Sequence, residues 1–385
     1  MQIPKALKSR LFGKATSQSK DGKTDRLFLV AVLALALYGT VMVFTAGYAY
    51  AETRYSDPFY FITRQCIWVA LGLSVMLVSS RIDTAQLMRY SPHAYVGTLA
   101  LLALTLAIGF TGNGAQRWIS LGPITIQPSE IAKLTMVMML ARYFAALEEK
   151  KISTARFAHG TLFPCLIMLI PIILVMLQKH LSCIIILGVI GLLLIVMAGV
   201  GLKYIAGFTA LGAAGVSYIA LFTDYTKDRI TVWLDPEAYK LTGGWQTLQG
   251  LMAIGSGGLF GKGLGRGELK YCYVSEPAND MIFAILCEEL GLVGALCALG
   301  LFALLILRGY KIAHGVDSTY EKLLCLGIVT KIAVQTLLNV AVVTNTIPNT
   351  GISLPFFSYG GSSLIMLFFE MGIILSISKR ARIAK

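Results

Sequence analysis

Stretches of about 18 or more mostly apolar residues recur along the whole 385-residue chain, each long enough as a helix to cross a hydrocarbon core about 30 Å thick. They predict ten spans, near 27–49, 62–80, 93–110, 131–147, 161–178, 181–200, 203–222, 281–307, 322–345 and 362–378. A bilayer offers no water to exposed backbone groups, so continuous apolar runs of this length are read as helices. The pattern predicts an all-α integral membrane protein of about ten helices. A basic tail (1–26) precedes a ten-helix region (27–378) that carries a long loop (223–280), and a second basic tail (379–385) follows.

Composition sharpens this picture. Hydrophobic residues make up 56% of the chain and charged residues only 14%, against about 25% charge in an average soluble domain. Assigning the loops alternately to two sides puts eighteen Lys and Arg on the side of both termini and three (Arg54, Arg117 and Lys179) in the short loops opposite. Basic residues in short loops stay cytoplasmic, whereas long loops such as 223–280 translocate regardless of charge. Both termini are therefore expected in the cytoplasm and the long loop outside the cell. The net charge of +13 reflects this bias and an attraction to anionic membrane lipids; it does not indicate a nucleic-acid partner. The first 26 residues are polar and basic, and a full-length span follows without a small-residue cleavage site, so an uncleaved first span is expected rather than a signal peptide.

Several chemistries find no support. The seven cysteines are odd in number and only Cys272 falls clearly in an outer loop, which argues against a disulfide framework. Neither they nor His93, His159, His180 and His314 show metal-ligand spacing, so no protein-held metal site is expected. The glycine-rich run GSGGLFGKGLGRG (255–267) departs from a phosphate loop: Ser256 stands where that loop needs glycine, and Gly263 where it needs Ser or Thr. No Ser-His-Asp set has a plausible location.

Four outward segments are too rich in Gly, Pro and polar residues to be plain connections: 111–130, the junction at 178–180, 223–280, and TIPNTGISLPFFSYGG at 346–361. Irregular backbone at membrane depth persists only where protein buries it or water reaches it, so the outer face is expected to hold a lined cavity. Asp280 opens the eighth span. It reads first as a helix cap, a reading compatible with a carboxylate placed to act as a general base. Arg117 is either an interfacial anchor beside Trp118 or a pyrophosphate contact. Glu130 and Lys133 can pair on one helix face. Lys331, Glu288, Glu289 and Glu370 lie within spans, where ionisable residues call for partners or a function.

GAQRWISLGPITIQPSEIAKL (114–134), GGLFGKGLG (257–265), EPANDMIFAILCEELGLVGA (276–295) and TGISLPFFSYGGSSLIMLFFEMGIILSIS (350–378) together resemble the FtsW/RodA/SpoVE, or SEDS, family, most closely its FtsW/SpoVE branch. The resemblance extends from the first span to the last. It implies a peptidoglycan glycosyltransferase that polymerises lipid II, the disaccharide-pentapeptide carried on undecaprenyl pyrophosphate, at the outer face of the bacterial cell membrane, during division or sporulation. It places the essential aspartate at Asp280. Substrate contacts are implied at Arg117, Glu130, Lys133 and Arg229 and, in the 350–363 block, at Ser358, Gly360, Gly361 and Ser362. Lys179, Cys183, Glu268 and Ser275 depart from the expected pattern. A class B penicillin-binding protein, with other division proteins, is the implied partner, and a divalent cation (Mg or Mn) a possible helper at the leaving pyrophosphate. Two rival readings remain at this stage: a carrier that flips the same lipid, and a RodA-type enzyme of elongation. A pure scaffold would leave the outer carboxylate and arginines without a role.

Overall fold

A computed structural model describes residues 22–112, 115–121, 124–154, 156–201, 207, 224–271 and 273–382. The expected seventh span (203–222), apart from Gly207, most of the first tail, Cys272 and the last three residues lie outside them. The chain begins with α1 (Arg26–Tyr55), α2 (Tyr60–Ser79) and α3 (Thr84–Ile108). Asp25 starts α1 by accepting a hydrogen bond from the Phe28 amide at 2.8 Å, and Asp83 starts α3 through the Ala85 amide. Each satisfies one of the donors that a helix start leaves unpaired.

The segment 111–130, expected to be irregular, instead forms a small antiparallel meander of β1 (Phe110–Gly112), β2 (Ala115–Leu121) and β3 (Ile124–Ile126). Its Gly and Pro residues had pointed to loop, but alternating residues such as Trp118, Ile119, Thr125 and Ile126 suit strands, and the register pairs Ile119 with Ile126. The fold is otherwise helical: α4 (Pro128–Glu149), a π-turn (Ala158–Leu162) leading into α5 (Phe163–Leu177), and α6 (Leu181–Met197). The long outer loop has structure of its own, α7 (Asp224–Leu234) and α8 (Gly244–Gly257). The chain ends with α9 (Ile282–His314), α10 (Thr319–Val343) and α11 (Gly361–Ser378).

Among the described residues, seven helical segments are long and apolar enough to span a membrane: α1, α2, α3, the π-turn with α5, α9, α10 and α11. α6 is shorter, and α4 has the length but carries more polar groups. α10 and α11 are the most enclosed of the spanning helices and α2 the least, which places the first two at the bundle centre and turns the side chains of α2 towards lipid. The two ends of the bundle meet on one face. Arg308 pairs with Asp25, the Asp25 amide donates to Ser378 Oγ at 3.2 Å, and the Arg382 amide donates to the Gly315 carbonyl at 2.8 Å.

α9 is broken at Gly291, whose φ of 66° and ψ of −164° lie outside the range a side chain tolerates. A Cβ there would sit 2.4 Å from the Gly261 nitrogen. The glycine-rich run fills this break. The amides of Lys262 and Gly263 donate to the carbonyls of Glu288 and Glu289, and those of Leu292 and Val293 to Gly258 and Leu259. The run is a helix-break clasp, not a phosphate loop.

Candidate active site

The turn 275–281 brings Asp280 to the outer end of α9. Its carboxylate does not cap that helix, since Met281 holds the cap position without a side-chain hydrogen bond. Oδ2 instead accepts from Gln246 Nε2 of α8 at 3.3 Å, while Oδ1 is buried with no hydrogen-bond partner. An unpaired buried carboxylate oxygen is costly. Burial raises the Asp280 pKa to about 6, the charge of Glu276 adds to the rise, and Gln246 and Arg229 oppose it. A carboxylate in this range is suited to accept a proton near neutrality.

The turn is held from two sides. Asn339 of α10, fully buried, donates through one amide nitrogen to the carbonyls of Asp280 at 2.9 Å and Ile352 at 2.6 Å. Ser358 Oγ donates to the Asn279 carbonyl at 2.7 Å and accepts from the Leu354 amide at 2.7 Å, and the Tyr359 amide donates to Ala278 at 2.9 Å. Gly351 faces the carboxylate directly. Its φ is 68°, which would strain a residue with a side chain, and a Cβ there would lie in van der Waals contact with Asp280 Oδ2 at 3.7 Å. Arg229 of α7 donates to the Asn349 carbonyl, close enough to Asp280 to act on its charge.

The other predicted residues gather at a second locus. Arg117 Nη2 donates to the Lys179 carbonyl at 2.9 Å, while its Nε is buried without a partner. His180 lies buried beside it, its Nδ1 3.4 Å from Ser129 Oγ. Burial, with Arg117 and Lys133 nearby, lowers the His180 pKa to about 3, so it stays neutral at physiological pH and does not serve as an acid. Glu130 and Lys133 pair at 2.7 Å, and Lys133 reaches Gln335 Oε1 at 3.5 Å. Lys133, expected as a substrate contact, is 2% exposed, and its ammonium is held by Glu130. Behind this pair Lys331 meets Glu370 at 2.6 Å. Glu130, Lys331 and Gln335 border a cavity of about 20 Å³ under residues 353–358, room for about one water.

The segment 349–359 joins the two loci. Asn349 receives Arg229, the Thr350 carbonyl receives Ser182 Oγ, and Ser353 receives Gln335 Nε2 at 2.9 Å through its carbonyl. Ser358 and Tyr359 then tie down the Asp280 turn. Gly360 and Gly361 open α11. A Cβ on Gly361 would meet the Trp68 ring at 2.5 Å, so that glycine provides packing space for α2. Ser362 lies half-buried in the first turn of α11.

The family model for cell cycle proteins of the FtsW/RodA/SpoVE type matches residues 25–383. The chain belongs to this family. It is 35% identical to the probable peptidoglycan glycosyltransferase FtsW of Geobacter metallireducens over 93% of this chain and 95% of the relative. It is also 35% identical to the stage V sporulation protein E of Bacillus subtilis, over 94% and 99%. Among solved structures it resembles a chain from a study of polymerization and crosslinking by a peptidoglycan synthase complex, with a TM-score of 0.76 at 25% identity over 92% of this chain and 97% of that one. The rod shape-determining protein RodA of Thermus thermophilus matches with a TM-score of 0.70 at 26% identity, over 93% and 98%.

Within this family fold, several residues around the site escaped the sequence. Asn339 had a signal, a buried amide inside an apolar span, which in a membrane points to a partner or a function. Gln246 had none, because its partner is set by how α8 docks. Glu288 and Glu289 have their partners in the loop: Lys262 at 3.0 Å and Lys270 at 2.7 Å, with loop amides at Gly265 and Glu268 donating at 2.9 Å each. Of the departures from the family pattern, Lys179 has a φ of 56°, a conformation closed to the proline expected there.

Proposed function

We propose that this chain is a peptidoglycan glycosyltransferase that polymerises lipid II with inversion at the donor sugar, and that Asp280 is its general base. The C4 hydroxyl oxygen of an acceptor glucosamine attacks the anomeric carbon of the donor muramic acid and passes its proton to Asp280. The α bond to pyrophosphate breaks as the β bond forms. One displacement needs one base, unlike glycoside hydrolases with paired carboxylates. Negative charge grows on the leaving pyrophosphate, and Arg229 and Arg117 are the guanidinium groups suited to receive it. The observation that carries this reading is the Asp280 carboxylate itself: raised in pKa, with one oxygen unpaired and a side-chain-free approach past Gly351.

Among the described residues no three His, Cys, Asp or Glu side chains converge, and no step here runs through a protein-held cation. The flipping alternative needs a polar site near the midplane open to both sides. Of the buried charged groups, Lys331 pairs with Glu370 inside the bundle and Lys133 with Glu130 in the first turns of α4, on the outer side. On the polymerase reading the reaction runs at the extracellular face, at the septum in a dividing cell, with a class B penicillin-binding protein and other division proteins as partners. Purified protein, supplied with its transpeptidase partner and labelled lipid II, is expected to build glycan strands, and Asp280→Ala to build none while remaining folded. Strands from Asp280→Ala would remove the base from this scheme. Lipid II crossing liposome bilayers without strands from either protein would favour the carrier.

A further inference from the structure

A second cavity, of about 320 Å³, opens at the outer end of α1, between Tyr50, Thr53 and Arg54 on one side and Val274, Ser275 and Glu276 on the other. It adjoins the reacting carboxylate: Glu276 is four residues from Asp280 and acts on its charge. Arg54 and Glu276 present opposite charges to one space from two different elements. Arg54 sits in the last turn of α1, where the helix dipole already favours a cation, so its charge alone would need no ligand. The acidic wall facing it across a sizeable cavity is what distinguishes the place.

That wall is held in position. Glu276 has a φ of 53°, an uncommon conformation for a residue with a side chain. Asn279 fixes it, donating through its side chain to Glu276 Oε2 and through its backbone amide to the Glu276 carbonyl. The Asn279 carbonyl in turn receives Ser358, so this wall and the Asp280 turn are one rigid unit. Its inner side is apolar, with Val274 buried and Tyr50 packed on Phe61, which packs on Tyr359.

We propose that this cavity holds the peptide stem of the lipid-linked sugar, with Arg54 reading a carboxylate and Glu276 an ammonium group. The assignment rests on the polymerase reading above. A volume at the low end of ligand pockets suits the end of a short peptide better than a disaccharide. A peptide attached through its amino end finishes in a carboxylate, and the stem's free amine supplies the cation. Charge-assisted hydrogen bonds to both ends fix orientation as well as affinity. Stem recognition beside Asp280 would set how the sugar carrying it faces the base.

The test is binding, so that it stands apart from turnover. A short-chain lipid II with its complete pentapeptide and the same lipid with the stem cut to two residues are titrated against full-length protein in nanodiscs. The unaltered protein is expected to prefer the complete stem by about tenfold. Arg54→Gln and Glu276→Gln are each expected to lose most of that preference while holding the cut lipid within about twofold. Thr53→Trp fills the cavity without touching either charge, and should lose the same preference even if a charge variant folds poorly. Equal binding of the two lipids by the unaltered protein, or equal weakening of both by the variants, would overturn the proposal. A protein that discriminates the stems yet makes no glycan would leave the stem site standing and remove the polymerase reading instead.

Discussion

At the scale of single residues the site depends on a carboxylate that the fold keeps away from its preferred state. The ordinary aspartate pKa of 3.8 becomes about 6 at Asp280, so the folded protein favours the protonated acid. Ionised Asp280 therefore lowers stability, fully above pH 6 and not at all below about 3.8, by on the order of 3 kcal/mol. Asp280→Asn should raise the melting temperature at pH 7.5 and leave it unchanged at pH 3.5. Polymerisation should fall as pH drops through about 6, because a protonated base accepts nothing. Glu276→Gln removes a like charge and should move that acid limb to lower pH, whereas Arg229→Gln removes an opposing charge and should move it up. Initial rates between pH 5 and 8 decide this, and a limb that ignores both changes would detach the titration from Asp280. Asp280 and Arg117 were legible in the sequence because charged residues beside apolar runs are rare, and Arg229 only through the family resemblance. Gln246 and Asn339, which determine the carboxylate's setting, were not, since an amide's partner depends on which helix arrives opposite it.

At the scale of elements, buried charges hold the helices to one another. Lys331 on α10 and Glu370 on α11 meet at 2.6 Å with almost no exposure, and removing one partner leaves the other charge unpaired at a cost of about 3–5 kcal/mol. Lys331→Met should unfold the protein at markedly lower temperature in detergent. Lys331→Met combined with Glu370→Leu should recover most of the loss, because an apolar pair needs no compensation. A double variant as weak as the single one would show that the pair does more than neutralise itself. The need for partners was readable from the sequence, but not their identity. Lys331 is 39 residues from Glu370, and Glu288 and Glu289 find theirs in a loop whose glycines resembled a phosphate site. The meander at 110–126 was missed for a related reason: Gly and Pro in 111–130 spoke for irregular backbone, while the cross-strand pairing that overrides them is a long-range fact.

At the scale of the molecule, both ends of the bundle share one face and the Asp280 turn lies towards the other end of α9. The positive-inside bias predicts that the shared face is cytoplasmic. With the native cysteines replaced, a membrane-impermeant maleimide should label Ser275→Cys in intact cells and Asp317→Cys only after permeabilisation; the opposite pattern would invert the orientation and move the reaction indoors. What the sequence determined by itself was the membrane class, the positions of most spans and the identity of the charged residues, and it predicts the orientation. Each of these follows from local hydrophobicity and charge, which a bilayer reads span by span. The tertiary structure alone decided which charges neutralise one another, which polar groups hold Asp280, and how the 349–359 segment joins the Asp280 turn to the Arg117 locus. Those outcomes depend on helices far apart in the chain coming within hydrogen-bond reach, and no periodicity or motif along a single chain encodes that meeting.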